Sequence, residues 1–261
     1  MPTRAVLFDL DETLLADGAA TQDALRATAA LASARGARGP DAETLARAAW
    51  LRATDGWERS PHQDYFQEFG ISAGECLWGR FIGEDPRLRP IARWAIDYQL
   101  DTWERALADL GVRDEVLAAT LAERFRREKR ARHNWLFPEA RRVLDELRGV
   151  YPLALITNGA PDIQRDKLAG SGLEPYFPVV AVSVEAGVAK PNPAIFAQTL
   201  EALEVAPGDA LMVGDNPARD ILGANRAGVR AVWIRREGQP LTHGAVPDAT
   251  ITTLDELAAL L

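Results

Sequence analysis

The chain has 261 residues, 47% of them hydrophobic and 26% charged, with a formal net charge of −8. That length admits one large domain or two ordinary ones, and the composition suits a globular chain with ample core. The acidic balance argues against nucleic-acid polymers and anionic membrane surfaces as partners. No apolar run approaches membrane-spanning length, and Arg4 leads straight into a strand pattern, so neither a membrane span nor a secretory leader is expected. The single cysteine, Cys76, precludes an internal disulfide, which suits a reducing cytoplasm. One bias stands out. Of 30 basic residues only Lys129, Lys167 and Lys190 are lysine, so each of them invites a reason.

In chain order, the first apolar strand covers residues 4–9 and runs into three acids, Asp9, Asp11 and Glu12. No strand pattern follows for a long interval. Helical patterns are predicted near 19–34, 41–54, 62–69, 73–82, 88–110 and 113–134, and another over 138–148 between Pro138 and Gly149. Further short runs rich in Val, Leu and Ile predict strands at 153–157, 178–184, 210–214 and 230–234. Between them, Asn192-Pro193 and Asn216-Pro217 read as N-cap and first helical position, Gly228 as a helix stop, and Thr253 with Glu256 as a capping box. Near-continuous apolar strands alternating with helices predict an α/β fold, a parallel sheet with helices on both faces.

The interval from 15 to 153 far exceeds the roughly 30 residues that a strand–helix–strand unit needs. Residues 16–135 are therefore predicted to form an inserted all-helical domain, and 1–15 with 136–261 the α/β core. Six of the seven tryptophans (Trp50, Trp57, Trp78, Trp94, Trp103 and Trp135) fall in the insertion. They form either the insertion's own packing or the lining of a substrate pocket, and packing is the commoner use of large aromatics.

Ligands of open parallel sheets bind beyond the carboxyl ends of the strands. The residues found there are Asp9 and Asp11 after the first strand, Thr157 and Asn158 after the second, Lys190 in the loop after the third, and Asp215 after the fourth. A single aspartate after a strand is ordinarily a turn or a cap. Three carboxylates with a cation, a hydroxyl and an amide form a less ordinary set. Carboxylates this close need a counter-charge, and oxygen ligands without His or Cys fit Mg²⁺, which binds through about one or two carboxylates plus a substrate phosphate. Lys190 and Thr157 then suit a phosphate. Lysine, a compact ammonium, can meet a phosphate oxygen and a carboxylate together, and the proline after it biases its backbone toward an extended form.

The segments DLDET (Asp9–Thr13), Thr157-Asn158, Lys190-Pro191 and GDNPARD (Gly214–Asp220) resemble, in order, the four motifs of the haloacid dehalogenase superfamily. The resemblance covers the sheet region and implies a Rossmann-like core with a helical cap inserted after the first strand. Residues 153–215 look most like the branch containing N-acylneuraminate-9-phosphatase and the YjjG-type pyrimidine nucleotidases. The resemblance implies that Asp9 is the nucleophile and forms an aspartyl-phosphate, with Asp11 as general acid and base. It further implies Mg²⁺ held by Asp9, the Asp11 carbonyl and Asp215, and phosphoryl contacts from Thr157, the Asn158 amide and Lys190. Asp220 either orients a metal-bound water or Lys190, or simply favours a helix dipole. Glu12 is expected to be solvated or bonded to backbone, and Thr13 to brace the loop.

The expected activity is a Mg²⁺-dependent phosphatase of small phosphorylated metabolites (sugar phosphate, nucleotide or phosphoglycolate type), acting in the cytoplasm as a monomer or homodimer. A phosphomutase is the alternative. A dehalogenase needs no acid to protonate a halide, so Asp11 favours phosphate esters. A non-catalytic binding module is disfavoured by the intact set of Asp9, Asp11, Lys190 and Asp215. The basic run RFRREKRAR (124–132) reads as a solvated helix face or as a steering surface for anions. His62, His133 and His243 have no metal-ligand spacing, and only His133 lies where it could approach the cleft.

Overall fold

The computed structural model describes residues 3–33, 40–236, 240–241 and 244–261, so His243 and the last position of the first predicted helix lie outside them. By internal contacts the chain forms two compact units. One comprises Met1–Ala16, Asn134–Gly159 and Leu168–Leu261, and the other Asp17–His133 with Ala160–Lys167. The sequence reading placed 160–167 with the sheet and Trp135 with the insertion. By contacts the first groups with the helical unit and the second does not.

The first unit carries β1 (Ala5–Phe8), β2 (Leu153–Thr157), β3 (Val179–Val182), β4 (Ala210–Gly214), β5 (Arg230–Ile234) and β6 (Ala249–Ile251). All pairings are parallel, in the order β3-β2-β1-β4-β5-β6. The three-residue β6 was missed from sequence because it is too short to show an apolar run. Alternate residues of each central strand feed opposite faces. Val6, Phe8, Leu153, Leu155, Leu211 and Val213 join one core with Val143, Leu144 and Leu257. Leu7, Ala154, Ile156, Met212 and Trp233 join the other with Ile195, Phe196, Ile221 and Ala224. Both faces are covered, which is why these strands read as continuous apolar runs rather than as alternating ones.

The second unit contains α1 (Asp17–Ser33), α2 (Ala42–Glu58), α3 (Gln63–Phe69), α4 (Ala73–Cys76), α5 (Leu88–Asp109) and α6 (Glu115–Arg130). Helix α4 is far shorter than the 73–82 expected. The capping box of Ser72 and Glu75 starts it, but Phe81 adopts φ 56°, a left-handed backbone that no helix continues. Trp78 and Trp103 are fully buried, Trp57 stacks on Phe66 and Trp94 on Tyr98. These four tryptophans therefore serve packing. The basic run is not a uniformly solvated face: Phe125 and Lys129 are buried, and Arg124, Arg126, Arg130 and Arg132 all sit in ion pairs.

The chain continues through α7 (Ala140–Leu147), α8 (Pro161–Ser171), α9 (Ser183–Ala186), α10 (Pro193–Leu203) and α11 (Leu222–Ala227). Asn192 and Asn216 cap as expected, and Thr253 with Glu256 forms its capping box, though on a 3₁₀ rather than an α-helix. Asn216 opens a wider π-helical turn, Pro217–Ile221, before α11 begins. No described helix is long and apolar enough to cross a membrane.

Candidate active site

In this strand order the direction of winding reverses between β1 and β4, the place where open parallel sheets bind their ligands. Asp9 follows β1 and Asp215 follows β4, so the sheet alone makes them neighbours. The Asp9 N–H donates to the Val213 carbonyl at 3.0 Å, carrying the parallel register one residue past the strand. The loop then folds tightly. Glu12 takes φ 57° and donates its N–H to the Leu15 carbonyl at 2.7 Å. Thr13, fully buried, accepts the Asp215 N–H on Oγ1 at 3.1 Å and so ties the first loop to the fourth.

Lys190 closes the group. Its ammonium donates to Asp9 Oδ1 at 2.6 Å and to the Ile156 carbonyl at 2.7 Å, and stands 2.6 Å from Asp220 Oδ1. All three of its protons therefore face protein oxygens. Asn158 spends its side chain on the Lys190 backbone: Oδ1 accepts the Lys190 N–H and Nδ2 donates to the Lys190 carbonyl, both at 3.0 Å. A phosphoryl contact from Asn158 is thereby left to its main-chain N–H. Thr157 is buried at the end of β2.

Two of the carboxyls, those of Asp215 and Asp220, resist ionisation. Burial, then the charges of Asp9 and Asp220, pushes the Asp215 carboxyl up to about 9. Burial raises Asp220 to about 6 although the Lys190 charge works the other way. For Lys190, burial opposes the charged form, but the charges of Asp220 and Asp9 outweigh it and hold the ammonium above its ordinary range. The ligand oxygens of Asp9, Asp215 and Asp220 lie within 4.8 Å of one another. Three buried carboxylates around one ammonium leave negative charge uncompensated, and the donors are all hard oxygens. That set fits a divalent cation such as Mg²⁺, beside which carboxylates stay ionised.

Two contributors escaped the sequence reading. Trp233 on β5 donates Nε1–H to the Asp215 carbonyl at 2.9 Å, and Arg219 donates Nη1–H to the Lys190 carbonyl at 2.8 Å. Trp233 carries no sequence signal beyond its place on a predicted strand, and Arg219 lies within the GDNPARD segment with no role expected of it. Asp220 donates nothing but accepts twice, since its Oδ2 takes the Asn216 N–H at 2.9 Å while Oδ1 faces Lys190. Of the histidines, His62 packs against Phe66 and Trp94 in the helical unit. His133 lies buried there too, its Nδ1 3.1 Å from the Asp166 carbonyl. A surface cavity of about 640 Å³ beside Leu31, Val116 and Arg127 shares no residue with the carboxylate group.

Residues 3–228 match the haloacid dehalogenase-like hydrolase family. Over 256 residues, 97% of each protein, the chain is 40% identical to phosphoserine phosphatase of Thermus thermophilus. It is 34% identical to N-acylneuraminate-9-phosphatase of Mus musculus over 175 residues, 66% of this chain and 71% of that protein. Among solved structures, the HAD-hydrolase YfnB of Bacillus subtilis aligns with a TM-score of 0.69 over 100% of this chain and 99% of its own. The identity there is 22%, so that likeness is one of fold.

Proposed function

The chain belongs to the haloacid dehalogenase-like hydrolases, and from that membership we propose that it is a Mg²⁺-dependent phosphatase of small phosphorylated metabolites. Asp9 attacks phosphorus in line and becomes an aspartyl-phosphate, while the departing alkoxide takes the proton of Asp11. Asp11, now ionised, removes a proton from the water that attacks the acyl phosphate, which restores Asp9 and releases inorganic phosphate. Lys190, the Thr157 hydroxyl and the Asn158 N–H hold the transferring group, mainly by position and charge. Asp9, the Asp11 carbonyl and Asp215 would hold the Mg²⁺, which supplies neutralisation of the phosphoryl charge. Asp220 orients Lys190. Residues 16–135 act as a cap that selects the leaving group and excludes water, and the setting is the cytoplasm.

The observation that supports this reading is the Lys190 ammonium 2.6 Å from Asp9 within the Asp9, Asp215 and Asp220 group. Phosphoserine heads the candidate substrates, since the relative of that name matches nearly the whole chain. A panel of phosphorylated metabolites, together with p-nitrophenyl phosphate, is assayed for released inorganic phosphate, which also separates hydrolysis from a mutase's isomerised product. EDTA should abolish release and Mg²⁺ restore it. Asp9→Asn should stay folded and lose turnover. Full activity in chelator, or a near-normal rate for Asp9→Asn, refutes the reading.

A further inference from the structure

Lys190 is gripped at both ends. Its ammonium meets Asp9 and Asp220, and its carbonyl accepts from Asn158 Nδ2 at 3.0 Å and from Arg219 Nη1 at 2.8 Å. A carbonyl oxygen has two lone pairs, so both are engaged. The two outer grips come from consecutive residues, Arg219 and Asp220, in the π turn Pro217–Ile221. Adjacent side chains on an α-helix diverge by about 100°. The wider π turn narrows that divergence and lets both reach one residue, in keeping with the frequent use of such turns at functional sites. Arg219 also lies beside the Asp220 charge, yet it delivers a hydrogen bond to a neutral carbonyl.

We propose that Arg219 is a positioning residue for Lys190: it anchors the lysine main chain while Asp220 anchors the ammonium, and together they set where that ammonium meets Asp9. The kinetic consequence rests on the phosphatase reading, but the geometric claim does not. A guanidinium suits the task because it stays charged and holds its donors in a rigid plane. Shortening or removing it frees the Lys190 carbonyl on one side and lets the ammonium drift from the nucleophile.

The chain offers a direct readout, because it has only three lysines, all of them buried. With lysine labelled by ¹³C at Cε, three resonances are assigned with Lys129→Arg and Lys167→Arg. Arg219→Leu should move the Lys190 resonance and leave the other two in place; Arg219→Lys should move it less. In turnover, Arg219→Leu should lower kcat by roughly 10–100-fold with a smaller change in KM, as loss of a group that orients a site residue does. Guanidinium added to Arg219→Ala should recover part of kcat where ammonium does not. An unmoved Lys190 resonance overturns the proposal, as does movement of all three, which marks a general disturbance. If the wild-type protein hydrolyses no phosphate ester, the phosphatase reading falls while the lysine spectrum still decides the role of Arg219.

Discussion

Gly214, the last residue of β4, gives the sharpest test of how the site is packed. Its φ lies outside the left-handed region, so alanine suits the backbone there. Space is what forbids it. A Cβ added at Gly214 would lie 2.5 Å from Asp220 Cβ and closer still to Asp220 Cγ and Oδ2. Carbon atoms in contact prefer about 3.5–4.0 Å, so Asp220 must retreat by on the order of 1 Å. It is 1% exposed and fastened to Lys190 and to the Asn216 N–H, so retreat breaks those contacts. Overpacking alone costs about 1–3 kcal/mol. A broken buried ion pair costs about 3–5 kcal/mol. Gly214→Ala is therefore expected to lose at least about 3 kcal/mol in urea unfolding, a large part of a typical 5–15 kcal/mol stability, and most of its turnover. The control is Asp220→Gly, which removes every atom of the clash. In that background Gly214→Ala should cost less than about 1 kcal/mol, a coupling that a double-mutant cycle reads directly. Equal costs in both backgrounds would refute the close-packing argument.

Acid stability and the two remaining lysines supply further tests. Burial, reinforced by Lys129 and Lys167, holds the His133 imidazole down to about 4. The unfolded chain protonates it near 6.5, so its contribution is complete above that pH and fades as pH falls toward 4, by roughly 1–3 kcal/mol. His133→Gln should flatten the urea midpoint across that window; an unchanged slope refutes the assignment. Asp17 acts lower down. Burial opposes its ionisation, but Lys167 and Lys129 bring it to about 2, so its contribution is lost only below the ordinary carboxylate range. Lys167 reaches Glu75 Oε1 at 2.9 Å and Asp17 at 3.6 Å, and Lys129 reaches Asp17 at 2.5 Å. Lys167→Met should cost about 3–5 kcal/mol by stranding Glu75. Lys167→Arg should also destabilise, by about 1–3 kcal/mol of overpacking, and a wild-type melting temperature would contradict that.

The lysine bias shows how far a sequence can be read. Arginine occupies the other basic positions, and the three lysines are buried, Lys190 between Asp9 and Asp220, and Lys129 and Lys167 beside Asp17 and Glu75. A guanidinium is wide and planar, so a closed site that needs one compact charge selects against it. The sequence flagged all three lysines, but only Lys190 came with a motif to say what it meets. Lys129 pairs with Asp17, 112 residues away along the chain, and Lys167 with Glu75, 92 away, and no local pattern encodes such a partnership. Asp220 was ambiguous for a related reason: an acid in the first helical turn looks the same whether it serves the dipole or a distant ammonium.

Strand identity, the parallel sheet and the acids at its edge were legible because they depend on short-range chemistry. Strands covered on both faces must be apolar at every position, and a crossover or cap declares itself within a few residues. Tertiary structure decided the rest. It made Asp9 and Asp215 neighbours through the reversal of strand order, and placed Arg219 and Asp220 at the two ends of Lys190 through a π turn. It also set Trp233 under the Asp215 carbonyl and turned Gly214 into a steric necessity. Each of these depends on how side chains and backbone meet in three dimensions, which only the packed core sets.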